Sequence, residues 1–118
     1  MKILTKRVYD ESSPEDGFRV LVDRLWPRGI KKENAPWDLW AKELAPSSEL
    51  RKWYGHQESK WEEFKKRYWG ELQNNSMVEK FIKDIRNQEV VSLLFANRIE
   101  SQSHTVILQS FLIEQLKH

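Results

Sequence analysis

The chain has 118 residues, with 20 Lys and Arg against 18 Asp and Glu, which gives a formal net charge of only +2. A weak charge disfavours a broad nucleic-acid-binding face, and the absence of cysteine excludes disulfides, thiolate nucleophiles and cysteine-bound zinc. No long apolar run occurs and the first residues do not form a signal peptide. We therefore expect one cytoplasmic domain over residues 1–118, without a membrane span.

The first third of the chain predicts two strands separated by a short polar loop. Residues 3–9 form a strand pattern, and "ESSPEDG" (11–17) is typical of a turn or short loop. Residues 18–26, "FRVLVDRLW", contain an unbroken apolar run, which indicates burial on both faces of a sheet. The short connection argues for a hairpin, although an extended loop would also return the chain in parallel.

The middle of the chain predicts a series of helices. In "NAPWDLWAKEL", Trp37, Trp40 and Leu44 recur at helical spacing. A second helix begins after the N-cap Ser47 and ends at Gly55. Two further helices are predicted by capping boxes, which pair Ser59 with Glu62 and Ser76 with Glu79.

The remaining elements complete an α/β pattern. Residues 90–96, "VVSLLFA", form another strand that is apolar on both faces, and a last helix runs from about His104 to Leu116. The sequence therefore predicts an α/β fold with a small sheet of three or more strands, mostly parallel or mixed, packed by about five helices.

Two segments place polar side chains where a strand or helix meets a loop. Asp23-Arg24-Leu25-Trp26-Pro27-Arg28-Gly29 ends the second strand, and in "SQSHTVIL" Ser101 or Ser103 would cap the last helix with His104 in its first turn. A helix N-terminus attracts anions and keeps a nearby imidazole neutral, so His104 is a candidate base. If strands 18–26 and 90–96 are parallel neighbours, the Asp23 carboxylate and the His104 ring lie within about 12 Å of each other.

Ordinary structural roles compete with these interpretations. Asp23 would equally serve as a structural salt-bridge partner of Arg24 or Arg28, and His104 as a polar residue at a helix start. For His56, which follows a glycine helix end, a capping or packing role is favoured. The tryptophans, which all fall between residues 26 and 69, are better explained by core packing than by base stacking.

Four segments resemble the compact, single-domain YeaO-like branch of the DUF488 family. They are "KRVYD…DGFRVLVDRLWPRGIKKE", "WAKELAPSSELRKWYGH", "WEEFKKRYWGEL" and, more loosely, "LLFANRIESQSHTVIL". The resemblance implies an α/β sheet fold with recurrent polar features at the Asp-Arg-Leu-Trp-Pro-Arg-Gly segment and the start of the last helix. It implies no defined activity.

Longer members of that family are similar in two polar motifs. One is a strand ending in Asp-Val-Arg, matched here by Asp23 and Arg24, and the other is a Cys-His-Arg near a late helix, whose histidine is matched by His104. The cysteine has no counterpart, so a thiol mechanism is not implied. Ile99 replaces an acid of the late loop, which argues against a metal or acid–base role there, whereas Arg98 is retained.

These residues predict a polar, anion-accepting pocket at the strand ends, and a small phosphorylated or carboxylated ligand. Asp23 and His104 are the candidate catalytic residues, should the protein act on that ligand, and Arg24, Arg28, Arg98 and Ser103 are the candidate ligand-binding residues. No phosphate-binding loop or zinc-protease motif occurs, so we expect no cofactor and no metal. The sequence leaves the oligomeric state open.

The alternative is a non-catalytic nucleic-acid-binding or regulatory module. Phosphate contacts would then come from Lys2, Lys6, Arg7, Arg19, Lys31 and Lys32. Exposure of Trp26 or Trp37 for base stacking would favour it.

Overall fold

The computed structural model describes residues 1–98 and 103–117 and contains a four-stranded, all-parallel sheet. The strands are β1 (Lys2–Arg7), β2 (Phe18–Leu21), β3 (Leu39–Trp40) and β4 (Val90–Phe95). Their spatial order is β1-β4-β2-β3. The expected α/β class with a small parallel sheet is confirmed.

The first two strands do not form a hairpin, because β4 lies between them and is parallel to both. An extended loop connects them, so the open question about their pairing is settled in favour of the parallel return. Asp16 fixes this loop: its carboxylate accepts from the Lys6 ammonium (3.0 Å), the Arg19 Nε (3.2 Å) and the Ser13 amide (2.9 Å). The Ser92 hydroxyl of β4 donates to the Asp16 carbonyl oxygen (2.7 Å), which holds the loop against the sheet.

Among the described residues there are four α-helices, one fewer than the expected five. They are α1 (Ser48–Tyr54), α2 (Trp61–Gln73), α3 (Met77–Ile85) and α4 (His104–Leu116), with 3-10 turns at 14–16, 32–34, 42–44 and 58–60. None of these helices combines the length and apolar character needed to cross a membrane. The predicted bounds of the last helix are confirmed.

The helix predicted around Trp37, Trp40 and Leu44 is wrong. Trp40 belongs to β3, and backbone hydrogen bonds from the Asp38 and Ala41 amides to carbonyls of β2 hold this segment at the sheet edge. Trp37 and Trp40 instead pack on the face of the sheet that carries Leu21 and Leu94, which explains why apolar residues recur at this spacing. The second strand is also shorter than expected, since β2 ends at Leu21.

The predicted caps have mixed outcomes. The Ser47 hydroxyl accepts from the Leu50 amide and Gly55 ends α1 in the left-handed conformation, as expected. Neither capping box forms: α2 begins at Trp61 without a side-chain cap, and Ser76 makes no capping bond. At the start of α3 the Asn75 side chain accepts from the Met77 amide (2.9 Å), so a neighbouring residue performs that role.

The two faces of the sheet are covered differently. One face, with Ile3, Val20, Val91 and Leu93, packs against residues from all four helices and forms the main core. The opposite face carries Leu21 and Leu94 and is covered by Val8, Ile30, Trp37 and Trp40, which belong to loops and the edge strand. The tryptophan-rich segment after β2 therefore takes the place of a second helical layer.

Candidate functional site

A cavity of about 430 Å³ opens at the carboxyl ends of the strands. The segments that follow the four strands all contribute to its wall: Tyr9 after β1, residues 23–28 after β2, Ala45 and Pro46 after β3, and Ala96 and Asn97 after β4. In an open parallel sheet this edge is the usual place for a ligand, because loops and helix starts meet there.

Asp23 and His104 meet in the wall of this cavity. Their carboxylate Oδ1 and ring Nε2 are 3.6 Å apart, well inside the expected separation. The Asp23 Oδ2 accepts from the Ala96 amide (2.9 Å), and the His104 Nε2 lies 2.8 Å from the Val22 carbonyl oxygen. The pair thereby connects the segment after β2 with the segment after β4 and the first turn of α4.

The surroundings of the pair determine its protonation. Burial lowers the pKa of His104, although Asp23 and the hydrogen bond to Val22 oppose the shift. Burial raises the pKa of Asp23, opposed by His104, the Ala96 amide and Arg51. His104 is therefore neutral at pH 7, and its proton resides on Nε2, because that nitrogen faces a carbonyl that can only accept.

Three arginines line the same cavity, whereas Asp23 is its single acidic lining residue within the described part of the chain. The Arg24 guanidinium donates to the Ala45 (3.2 Å) and Pro46 (3.3 Å) carbonyl oxygens, which fixes its position. Arg28 and Arg51 are exposed. Three guanidinium charges against at most one carboxylate give the cavity a positive electrostatic balance.

The sequence did not identify one wall of the cavity, which is formed by the end of α1. Arg51, Tyr54 and His56 line it. Arg51 and Tyr54 are three residues apart and therefore share a helix face, which is the signal that could have grouped them. His56 follows the helix-ending Gly55, has a positive φ of 57°, and contributes its side chain to the cavity wall.

Two of the proposed ligand-binding residues lie away from the cavity lining. Ser103 is buried and caps α4, since its hydroxyl accepts from the Thr105 amide (3.3 Å) and hydroxyl (2.7 Å). Arg98 is exposed and is absent from the lining. The alternative cap Ser101 and the loop residue Ile99 are outside the described residues.

No group of three or more His, Cys, Asp or Glu side chains is close enough to hold a metal ion in residues 1–98 and 103–117. In the Asp23–His104 pair, the Asp23 Oδ2 and the His104 Nε2 are each engaged by a backbone group. The pair therefore resembles a structural connection more than an open ligand set.

Some of the side chains that would contact nucleic acid are exposed, whereas others are bound to neighbouring groups of the protein. Trp26 is 40% exposed, whereas Trp37 is only partly exposed. The side chains of Lys6 and Arg19 bind Asp16, and Arg7 donates to backbone carbonyls at residues 96 and 97. Lys2, Lys31 and Lys32 are exposed.

The chain is similar over nearly its whole length to several bacterial proteins. The uncharacterized protein YeaO of Escherichia coli is 40% identical over 112 residues, which cover 95% of this chain and 97% of YeaO. The uncharacterized proteins Rv3073c of Mycobacterium tuberculosis and Mb3100c of Mycobacterium bovis are each 39% identical over 111 residues, or 94% of this chain and 93% of theirs. No solved structure matches.

A family model described as "Inactive DUF488-N3 subclade" matches residues 2–118. The resemblance seen in the sequence motifs is thus confirmed across the chain. The cavity with Asp23, the three arginines and His104 is accordingly a feature of a protein that belongs to the DUF488 family, in the subclade with that description.

Proposed function

We propose that this protein binds a small phosphorylated or carboxylated molecule in the cavity at the strand ends. The observation that carries the proposal is the charge of the wall: Arg24, Arg28 and Arg51 surround a space in which Asp23 is the single described acid. A cavity of about 430 Å³ has the size of a metabolite site, not of a surface for a macromolecule.

The three arginines would contact the ligand in different ways. Arg24 is held in place by two carbonyl oxygens through its Nε and Nη2, so its Nη1 would meet an anion without losing much conformational freedom. Arg28 and Arg51 are exposed and come from different elements, and they would close on the ligand from two sides. Bidentate contacts with carboxylate or phosphate oxygens suit guanidinium groups.

Binding without turnover fits the side chains best. The His104 Nε2 donates to the Val22 carbonyl oxygen and the Asp23 Oδ2 accepts from the Ala96 amide, so both groups are used to join chain segments. The chain has no cysteine to act as a nucleophile, and its family model is described as inactive. A catalytic role for Asp23 and His104 stays a prediction.

The test is a titration of the full chain with inorganic phosphate and with citrate, followed by calorimetry and thermal shift. We expect saturable binding that weakens about 10- to 100-fold in Arg51→Ala or Arg28→Ala, the loss typical of one charge-assisted contact. Arg86→Ala is the matched control, because Arg86 is an exposed arginine beside a different groove. Equal binding by all three variants, or no binding to the wild-type chain, would refute the proposal.

The exposed Trp26 is the observation in favour of the nucleic-acid alternative. A labelled single-stranded oligonucleotide distinguishes the two. Affinity that falls steeply with salt, together with no saturable binding of phosphate or citrate, would replace the small-ligand proposal by the alternative.

A further inference from the structure

Exposed apolar side chains are concentrated at the rim of the cavity. Among the described residues, six large hydrophobic side chains are exposed, and three of them line this cavity: Leu25 (64%), Tyr9 (45%) and Trp26 (40%). The others, Met1, Leu4 and Ile113, are not lining residues. Apolar surface next to arginines indicates that the occupant presents an apolar part as well as a charge.

Trp26 is held rigidly although it is exposed. Its indole N–H donates to the Ile30 carbonyl oxygen (2.6 Å), and its ring meets those of Trp37 and Trp40 edge-on, with centroids 4.9 Å and 5.6 Å away. The Trp40 N–H in turn donates to the Asp23 carbonyl oxygen (2.7 Å). A fixed ring stacks with a ligand at little cost in side-chain entropy.

The aromatic and cationic groups of the rim are coupled to each other. The Tyr9 hydroxyl donates to the Arg28 carbonyl oxygen (2.8 Å), which fixes the backbone of the arginine beside an exposed ring. In the chain, Leu25 and Trp26 lie between Arg24 and Arg28. One short loop therefore presents an apolar surface flanked by two guanidinium groups.

We propose that the ligand is an anion that carries an aromatic ring, with the ring on Trp26 and Leu25 and the charged group on the arginines. The inference rests on the function proposed above and specifies its ligand class. An indole ring favours a planar aromatic partner over an aliphatic chain of similar size, because stacking brings two π-faces into contact.

Calorimetry with three phosphate monoesters tests the inference. Phenyl phosphate has the ring, cyclohexyl phosphate has an aliphatic group of similar size, and glycerol 3-phosphate has the same charged group without a ring. We expect phenyl phosphate to bind about tenfold more tightly than the other two, a ratio within the range of one aromatic stacking contact. Comparable affinities for phenyl and cyclohexyl phosphate would overturn the inference.

Variants separate the ring contact from the charge contact. Trp26→Ala should reduce the affinity for phenyl phosphate to that for glycerol 3-phosphate, which itself should not change. Leu25→Ser, at the most exposed of these positions, should have a smaller effect of the same kind and keeps the test open if Trp26→Ala fails to fold. Arg51→Ala should weaken all three esters alike.

The possible failures are distinguishable. If no ester binds, the proposed function is wrong. If all three bind equally, or Trp26→Ala weakens them in equal proportion, the anion site stands and the aromatic specificity is refuted.

Discussion

At the residue scale, His56 combines a strained backbone conformation with a side chain that lines the cavity. Its φ of 57° lies in the left-handed region, which a residue with a Cβ adopts at a cost of roughly 1–2 kcal/mol. Its side chain lines the cavity and its ring lies 5.8 Å from that of Tyr54. Strained residues cluster at binding sites, and we therefore predict that His56 contacts the ligand proposed above.

Replacing His56 tests whether strain is retained for binding. His56→Gly should raise the free energy of unfolding by up to about 1 kcal/mol, because the relief of strain exceeds the added freedom of the unfolded chain. Urea denaturation measures this, and calorimetry with phenyl phosphate should show weaker binding by the same variant. His56→Asn is the control for stability, since asparagine tolerates this conformation. A fall in stability would show that the Tyr54 contact outweighs the strain.

Among the elements, the connection from β1 to β2 is the one that decides the sheet order. It passes the amino end of β4, and Gly17 makes the approach possible: a Cβ there would lie 2.3 Å from the Val90 carbonyl oxygen. Its φ of 65° adds a second requirement for glycine. Since β4 pairs with both β1 and β2, a shift at this point would disturb both pairings.

A matched pair of glycine substitutions separates the two effects. Gly17→Ala should lower the free energy of unfolding by about 2–4 kcal/mol, because steric overlap with Val90 adds to the backbone strain. Gly29→Ala should cost only about 1 kcal/mol, since Gly29 has a φ of 82° but no atom within 4 Å of the added Cβ. Chemical denaturation gives both values. Equal losses would mean that the contact with Val90 relaxes without cost.

At the scale of the whole molecule, the Asp23–His104 pair joins the segment after β2 to Ala96 and to the start of α4, which lie more than 70 residues later in the chain. Folding buries His104 and thereby lowers its pKa. Between that lowered pKa and the ordinary value of 6.5, the unfolded chain therefore binds more protons than the folded one. The free energy of unfolding should therefore fall as the pH drops from 7 towards the lowered pKa. The raised pKa of Asp23 acts with opposite sign, since it adds stability that is lost as the pH rises through that value.

His104→Gln isolates the histidine contribution. The glutamine amide donates to the Val22 carbonyl oxygen but does not titrate, so the loss of stability between pH 7 and pH 5.5 should be smaller than in the wild-type chain. Urea denaturation at the two pH values provides the comparison. An identical pH dependence in His104→Gln would exclude His104 as its source.

Local patterns were sufficient for the parts of the fold that depend on neighbours in the sequence. Val20-Leu21-Val22 and the run from 90 to 96 indicated buried strands, and Ser47, Gly55 and the bounds of α4 followed from capping and periodicity. The same kind of pattern gave a wrong helix prediction at Trp37 and Trp40. Apolar residues three apart occur both on a helix face and in an extended segment that packs on a sheet.

By itself the sequence determined the α/β class, the family and the polar segments that meet a strand or helix end. The sequence predicted that Asp23 and His104 approach each other only if strands 18–26 and 90–96 are parallel neighbours. It did not decide whether those strands pair in this way. Only the tertiary structure decided that β4 inserts between β1 and β2, and that Arg51 and His56 complete the cavity wall. Strand order and helix placement depend on contacts between residues far apart in the chain, and no local spacing of side chains encodes those contacts.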